Sequence, residues 1–176
     1  MRGEGRRRRP SPLIIPIMIG IIGIGNILLK DDGVGIETVR RLDKNYRFPE
    51  NVQIIDGGTL SFSIPLHQFE KIIVIDAYRD STKKPGEIVV LNREEIMNGG
   101  IKQKVTSHDI NLFEYLYLLD LRGEAPEDVF FVGIVPQDIE TSGIGLTETV
   151  EKVLPEVERI IIEKLKSWGI RVDARA

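Results

Sequence analysis

Apolar positions along this chain fall into two recurrent patterns: short unbroken runs, and longer stretches with helical spacing. The run "IMIGIIGIG" (17–25) is rich in isoleucine and carries no charge. That predicts a strand buried on both faces, as in a parallel sheet. "VQIIDGG" (52–58), "KIIVIDA" (71–77), "GEIVVLN" (86–92) and "DVFFVGIVP" (128–136) predict four more strands. Between them the period changes. "GIETVRRLDKNY" (35–46) sets Ile36, Val39 and Leu42 at helical spacing. "HDINLFEYLYLLDLRG" (108–123) does the same with Leu112, Leu116 and Leu119 and stops at Gly123, a helix-ending residue. From 147 to 169, Val150, Leu154, Val157, Ile161 and Leu165 form one apolar stripe, and Pro155 is expected to bend or split that helix. Strands alternating with helices predict an α/β domain with a mostly parallel sheet. "TLSFSIPLHQF" (59–69) has no clean period, and "REEIMNGGIKQKVTS" (93–107) is the longest aperiodic stretch, a candidate mobile loop.

Length adds little to this picture, since 176 residues suit one domain with a substantial core. Charge changes it at one end. Five arginines crowd "MRGEGRRRR", whereas the rest of the chain is acidic. Residues 1–17 are therefore expected to form a disordered basic extension, 18–170 a single α/β domain and 171–176 a C-terminal tail. Met18 is a candidate natural start. The basic flank and apolar run also imitate a secretion signal. Against that, Pro12 and Pro16 break the run, and it ends in glycines leading into acids rather than in a small-residue cleavage site. An acidic body offers no basic face for nucleic acid, so neither nucleic acid nor membrane is expected as a partner.

The absence of cysteine excludes disulfides, thiolate metal sites and a cysteine nucleophile. Any metal must use His, Asp, Glu or backbone oxygens, and His67 and His108 are the only histidines. In an open α/β sheet ligands bind beyond the carboxyl ends of the strands. There the chain places Asp31 and Asp32 after the first strand, Asp56 in the second and Asp76 in the third. His108 follows the aperiodic loop and opens a helix, so it can reach the same edge. Two carboxylates and an imidazole suit a divalent transition metal. Each has a plainer reading: Asp32 as a helix-start acid, Asp76 as a turn residue, His108 as a helix-start residue behind Thr106 and Ser107. His67 is read as structural. The glycines do not make a dinucleotide fingerprint, because Leu28 stands where G-x-G-x-x-G needs its third glycine. No G-K-[ST], G-x-S-x-G or H-E-x-x-H follows.

Read in order, "GIGNILLKDDGVGIETVRRL", "DGGT", "IVIDA", "KPGEIVVL", "TSHDINLFEYL" and "FFVGIVPQDIE" followed by "GLTETVEKVLPEV" resemble the blocks of the hydrogenase maturation proteases, from about Met18 to the end of the last helix. The resemblance implies a three-layer fold, a twisted, mostly parallel sheet flanked by helices of the phosphorylase/hydrolase type. It implies a cytoplasmic endopeptidase that removes a C-terminal extension from the large-subunit precursor of a nickel–iron hydrogenase after nickel insertion. By motif, Asp32, Asp76 and His108 become the metal-contacting and catalytic residues, and Asp56 a substrate-recognition residue. Nickel then arrives with the precursor, although the isolated protein can hold another divalent metal at the same residues. The enzyme is expected to be a monomer of the aspartic or metal-dependent type. Where many relatives have Gly or Gln after the histidine, Asp109 follows His108 here, which adds negative charge beside the site. Two alternatives share this fold: a hydrolase with its own divalent metal acting on another substrate, and a non-catalytic nickel-handling adaptor.

Overall fold

The structure is a computed structural model that describes residues 17–59, 63–100 and 109–175. The main sheet consists of β1 (Ile19–Ile24), β3 (Val52–Gly58), β4 (Lys71–Ala77), β5 (Ile88–Asn92) and β6 (Asp128–Ile134) in the order β3-β1-β4-β6-β5. The β1–β3, β1–β4 and β4–β6 pairs are parallel. β5 runs antiparallel to β6 at the edge. The chain thus steps outward from β1 to β3, then crosses to β4 on the other side of β1. That reversal creates a switch point between β1 and β4, where such sheets open a crevice at their carboxyl ends.

Parity along each strand decides which face a side chain joins. Ile19 and Ile21 of β1, Ile73 and Ile75 of β4, and Val132 and Ile134 of β6 pack with α1 (Val34–Asn45), α4 (Glu148–Glu151) and α5 (Leu154–Ser167). Ile22 and Ile24, Ile72 and Val74, and Val129 and Phe131 face the other way, onto α3 (Asp109–Arg122) and the short turn Leu66–Gln68. Both faces are covered, which is why the central strands read as continuous apolar runs. Pro155 does split the last helix. It stands in the first turn of α5, where its missing N–H costs nothing. His67 lies exposed on the Leu66–Gln68 turn while its neighbour Leu66 is buried, so the turn is held by the leucine. The aperiodic stretch opens with α2 (Arg93–Glu95), started by a reciprocal cap in which Asn92 accepts from the Glu95 N–H and Glu95 from the Asn92 N–H. A further helical turn, Ile96–Gly100, follows, and 101–107 lie outside the described residues. A small second sheet pairs β2 (Tyr46–Arg47) with β7 (Asp173–Ala174), and Arg175 donates to the Asn45 and Tyr46 carbonyls.

Close helix-on-strand packing positions the crevice. A Cβ on Gly23 would stand 2.2 Å from the Gly35 carbonyl oxygen, and one on Gly35 would stand 2.2 Å from that of Ile75. Only glycine permits the start of α1 to press so tightly against β1 and β4.

Candidate functional site

Beyond β1 the chain makes a tight loop, Asn26 to Leu29, then a 3₁₀ turn, Lys30–Gly33, that feeds α1. Gly25 holds φ at +136°, and a Cβ there would lie 1.8 Å from the Asp32 carbonyl oxygen. The strand end and the acidic turn therefore touch through bare backbone. Lys30 takes the left-handed φ of 50°, a strained position for a side-chain-bearing residue. Its backbone N–H is fixed on the Gly143 carbonyl at 3.0 Å.

The two adjacent acids do different work. Asp31 is fully buried, and its carboxylate grips the segment that follows β6. Oδ2 accepts from the Gln137 N–H at 2.8 Å, the Asp138 N–H at 3.0 Å and the Thr147 hydroxyl at 2.9 Å. Oδ1 accepts from the Thr147 N–H at 2.7 Å. This makes Asp31 a clamp across the fold. Asp32, also buried, turns back instead, and its Oδ2 accepts from the Asn26 N–H at 3.0 Å. It does not cap α1, whose N-cap is Gly33 with no side-chain cap.

Asp76 closes β4. It is fully buried, its Oδ1 accepts from the Ala77 N–H at 2.6 Å, and its Oδ2 has no hydrogen-bond partner among the described residues. It shares strand parity with Ile72 and Val74, the residues that face α3. The Lys30–Gly33 turn packs against β4, so Asp32 and Asp76 border the same switch-point crevice. Asp56 lies one strand outward, opposite Gly23 in the ladder. It is exposed and paired with Arg40 of α1 at 3.1 Å. His108 lies outside the described residues. Asp109 directly after it opens α3, on the face that Asp76 shares. Among the described residues no group of three or more His, Cys, Asp or Glu side chains is placed to hold a metal.

Two further residues of the rim lie within the quoted sequence blocks but were not singled out there. Asn26 supplies its N–H to Asp32 and its side-chain oxygen to the Leu28 N–H at 3.0 Å. Asp138 accepts from the Thr141 and Glu140 N–H groups at 3.0 and 3.1 Å. Those bonds, the one from Thr141 foremost, hold its carboxyl below the usual range, with a further contribution from the nearby Lys30 charge. A carboxylate held in place and a second whose buried Oδ2 has no partner among the described residues can each offer an oxygen to a cation or a proton.

A family model described as "HycI: Hydrogenase maturation protease" matches residues 36–164. The chain belongs to the hydrogenase maturation protease family. It is 33% identical over 168 residues to the hydrogenase expression/formation protein HupD of Rhizobium leguminosarum bv. viciae, covering 94% of this chain and 80% of that one. It is 31% identical over 157 residues to the hydrogenase 2 maturation protease of Escherichia coli strain K12, covering 88% and 94%. Among solved structures, the hydrogenase maturating endopeptidase HybD from E. coli superposes with a TM-score of 0.84 at 30% identity, covering 90% of this chain and 98% of that one. The [NiFe] hydrogenase maturation protease HybD from Thermococcus kodakarensis gives 0.69 at 29% identity, covering 85% and 99%. The three-layer α/β fold of this maturation protease is thus the fold of its relatives. No helix among its described residues is long and apolar enough to cross a membrane.

Proposed function

We propose that this maturation protease is the cytoplasmic endopeptidase that trims the C-terminal extension from a nickel-loaded [NiFe]-hydrogenase large-subunit precursor. The carrying observation is the Asp76 Oδ2: a fully buried carboxylate oxygen, at the switch-point edge, without a partner among the described residues. Leaving such an atom unpaired costs roughly 1–3 kcal/mol or more, a cost that folds retain where an incoming group is to be met. Nickel belongs to the substrate. Asp32, Asp76 and His108 complete its coordination, and Asp56 reads the precursor beside it. Without nickel, two carboxylates meet the precursor with no cation between them, which disfavours docking. The Asn26 N–H orients Asp32 and the Ala77 N–H orients Asp76, so each offers a set oxygen rather than a mobile one. Polarisation of the scissile carbonyl or of the attacking water is the chemistry a bound cation supplies. With neither a cysteine nor a G-x-S-x-G elbow in the chain, an activated water rather than a covalent side-chain nucleophile is proposed to attack the bond. On this reading the peptidase is of the aspartic or metal-dependent type.

Incubating the purified protein with precursor, with and without nickel, and weighing the products tests this. Loss of a C-terminal peptide from the nickel-loaded form alone is expected. Cleavage regardless of nickel would overturn nickel recognition, and tight binding without cleavage would make the protein an adaptor. A stoichiometric metal ion in the partner-free protein would instead favour a hydrolase with its own metal.

A further inference from the structure

Two large apolar side chains stand out at the rim of the crevice. Leu28 is 57% exposed and Ile144 is 78% exposed. They come from segments more than a hundred residues apart, yet the backbone joins those segments: the Gly143 N–H donates to the Leu28 carbonyl at 2.8 Å, and Leu29 bridges Gly143 in parallel fashion. Neither side chain sits on a loose tip. The Leu28 N–H is held by the Asn26 side chain, and the Asn26 N–H by Asp32. On the far side, the Asp31 carboxylate binds the N–H groups of Gln137, Asp138 and Thr147, bracketing Ile144 on both flanks. The Lys30 N–H is spent on the Gly143 carbonyl. A frame held by this many hydrogen bonds keeps two apolar side chains in water. Exposed apolar area forfeits the gain of burial, and rigid apolar side chains rimmed by polar groups are a mark of a contact surface.

We infer that Leu28 and Ile144 form an apolar lip that seats an apolar side chain of the precursor polypeptide next to the bond to be cut. The inference rests on the endopeptidase reading above and adds to it a specificity element independent of nickel. The occupant is the substrate chain because the lip is continuous with the carboxylate crevice. One hydrogen bond separates Leu28 from Asn26, and one more separates Asn26 from Asp32. A peptidase must lay its substrate across that surface, and a peptide docked on the lip needs no backbone rearrangement of the enzyme to be read. The outer face of α3 also exposes apolar side chains, with Leu121 at 67%, and among the described residues no hydrogen bond ties Leu121 to the crevice. It serves as a matched control.

The test compares processing of nickel-loaded precursor by the wild type, the double variant L28S/I144S and the control L121S. For the double variant KM is expected to rise about tenfold or more, with kcat within about twofold and the melting temperature unchanged, because neither side chain is buried. L121S is expected to match the wild type in all three. Unchanged KM in L28S/I144S overturns the lip while leaving the endopeptidase reading intact. A fall in kcat alone overturns it as well, since it places the residues in the chemistry rather than in docking. So does wild-type self-association that L28S/I144S abolishes without a change in KM, which assigns the surface to a second copy. Failure of the wild type to release any peptide removes the endopeptidase reading, and the lip with it.

Discussion

The Asp31 carboxylate takes both the backbone N–H and the hydroxyl of Thr147, at 2.7 and 2.9 Å, across 116 residues of chain. This contact, with the Gln137 and Asp138 N–H groups on the same carboxylate, fixes the segment after β6 against the turn after β1. Asp31→Ala would leave three backbone donors facing a void. A loss of about 3–5 kcal/mol is expected, read by calorimetry as a melting temperature lower by roughly 10 °C. Thr147→Val, which removes only the hydroxyl, is expected to cost about 1–2 kcal/mol. Equal losses in the two variants would show that the backbone donors contribute nothing.

Asp76→Asn separates stability from function. Its Oδ1 keeps the Ala77 N–H, and the replaced Oδ2 had no partner among the described residues to lose. Stability is expected to stay within about 1 kcal/mol of the wild type or to rise, because a buried charge is removed. Processing of nickel-loaded precursor is expected to be abolished. Chemical denaturation and a precursor-cleavage assay on one preparation decide it, and full activity would take Asp76 out of the site.

His108→Ala is expected to abolish processing without lowering the melting temperature. Full activity in a cleavage assay would remove the imidazole from the proposed coordination and leave the two carboxylates without a nitrogen partner.

Gly25→Ala asks whether the strand–turn contact is needed. Its Cβ would meet the Asp32 carbonyl oxygen at 1.8 Å, at a φ of +136°, so the acidic turn must move. The expectation is a destabilisation of about 3 kcal/mol or more together with lost activity. A soluble, active variant with wild-type melting would show that Asp32 tolerates displacement.

Asp138 gives a pH signature. Backbone donation from Thr141 and Glu140 holds its folded carboxyl below its ordinary 3.8. In acid the unfolded chain therefore binds the proton first. The stabilisation is complete above about pH 4 and fades as pH falls through the lower, folded value. In thermal melts from pH 2 to 6, the difference between wild type and Asp138→Asn is expected to be largest at the neutral end and to shrink toward pH 2. A constant difference would mean that the turn draws on the amide and carboxylate alike.

Much of the fold was legible because burial on both faces leaves a local trace. Ile19–Ile24 and Ile72–Ile75 are unbroken apolar runs, and such runs belong to central strands covered on both sides. The direction of β5 was not legible, since Ile88–Asn92 pairs antiparallel only because of where β6 lies. Pro155 marked a break in the last helix, because a missing N–H acts wherever it occurs.

The site divides along the same line. The candidate residues and their places near strand ends were in the sequence: Asp32 after β1, Asp56 in β3 and Asp76 closing β4. The division of labour between Asp31 and Asp32 was not, because adjacent acids are equivalent until a fold supplies donors from 106 to 116 residues away. The Leu28–Ile144 lip was equally invisible, for exposure is set by what fails to cover a side chain. By itself, the sequence determined the strands, the helices and the stock of carboxylates, because these depend on near neighbours along the chain. Tertiary structure alone decided which carboxylate is satisfied and which oxygen has no partner among the described residues, because hydrogen-bond partners are settled by distance in space.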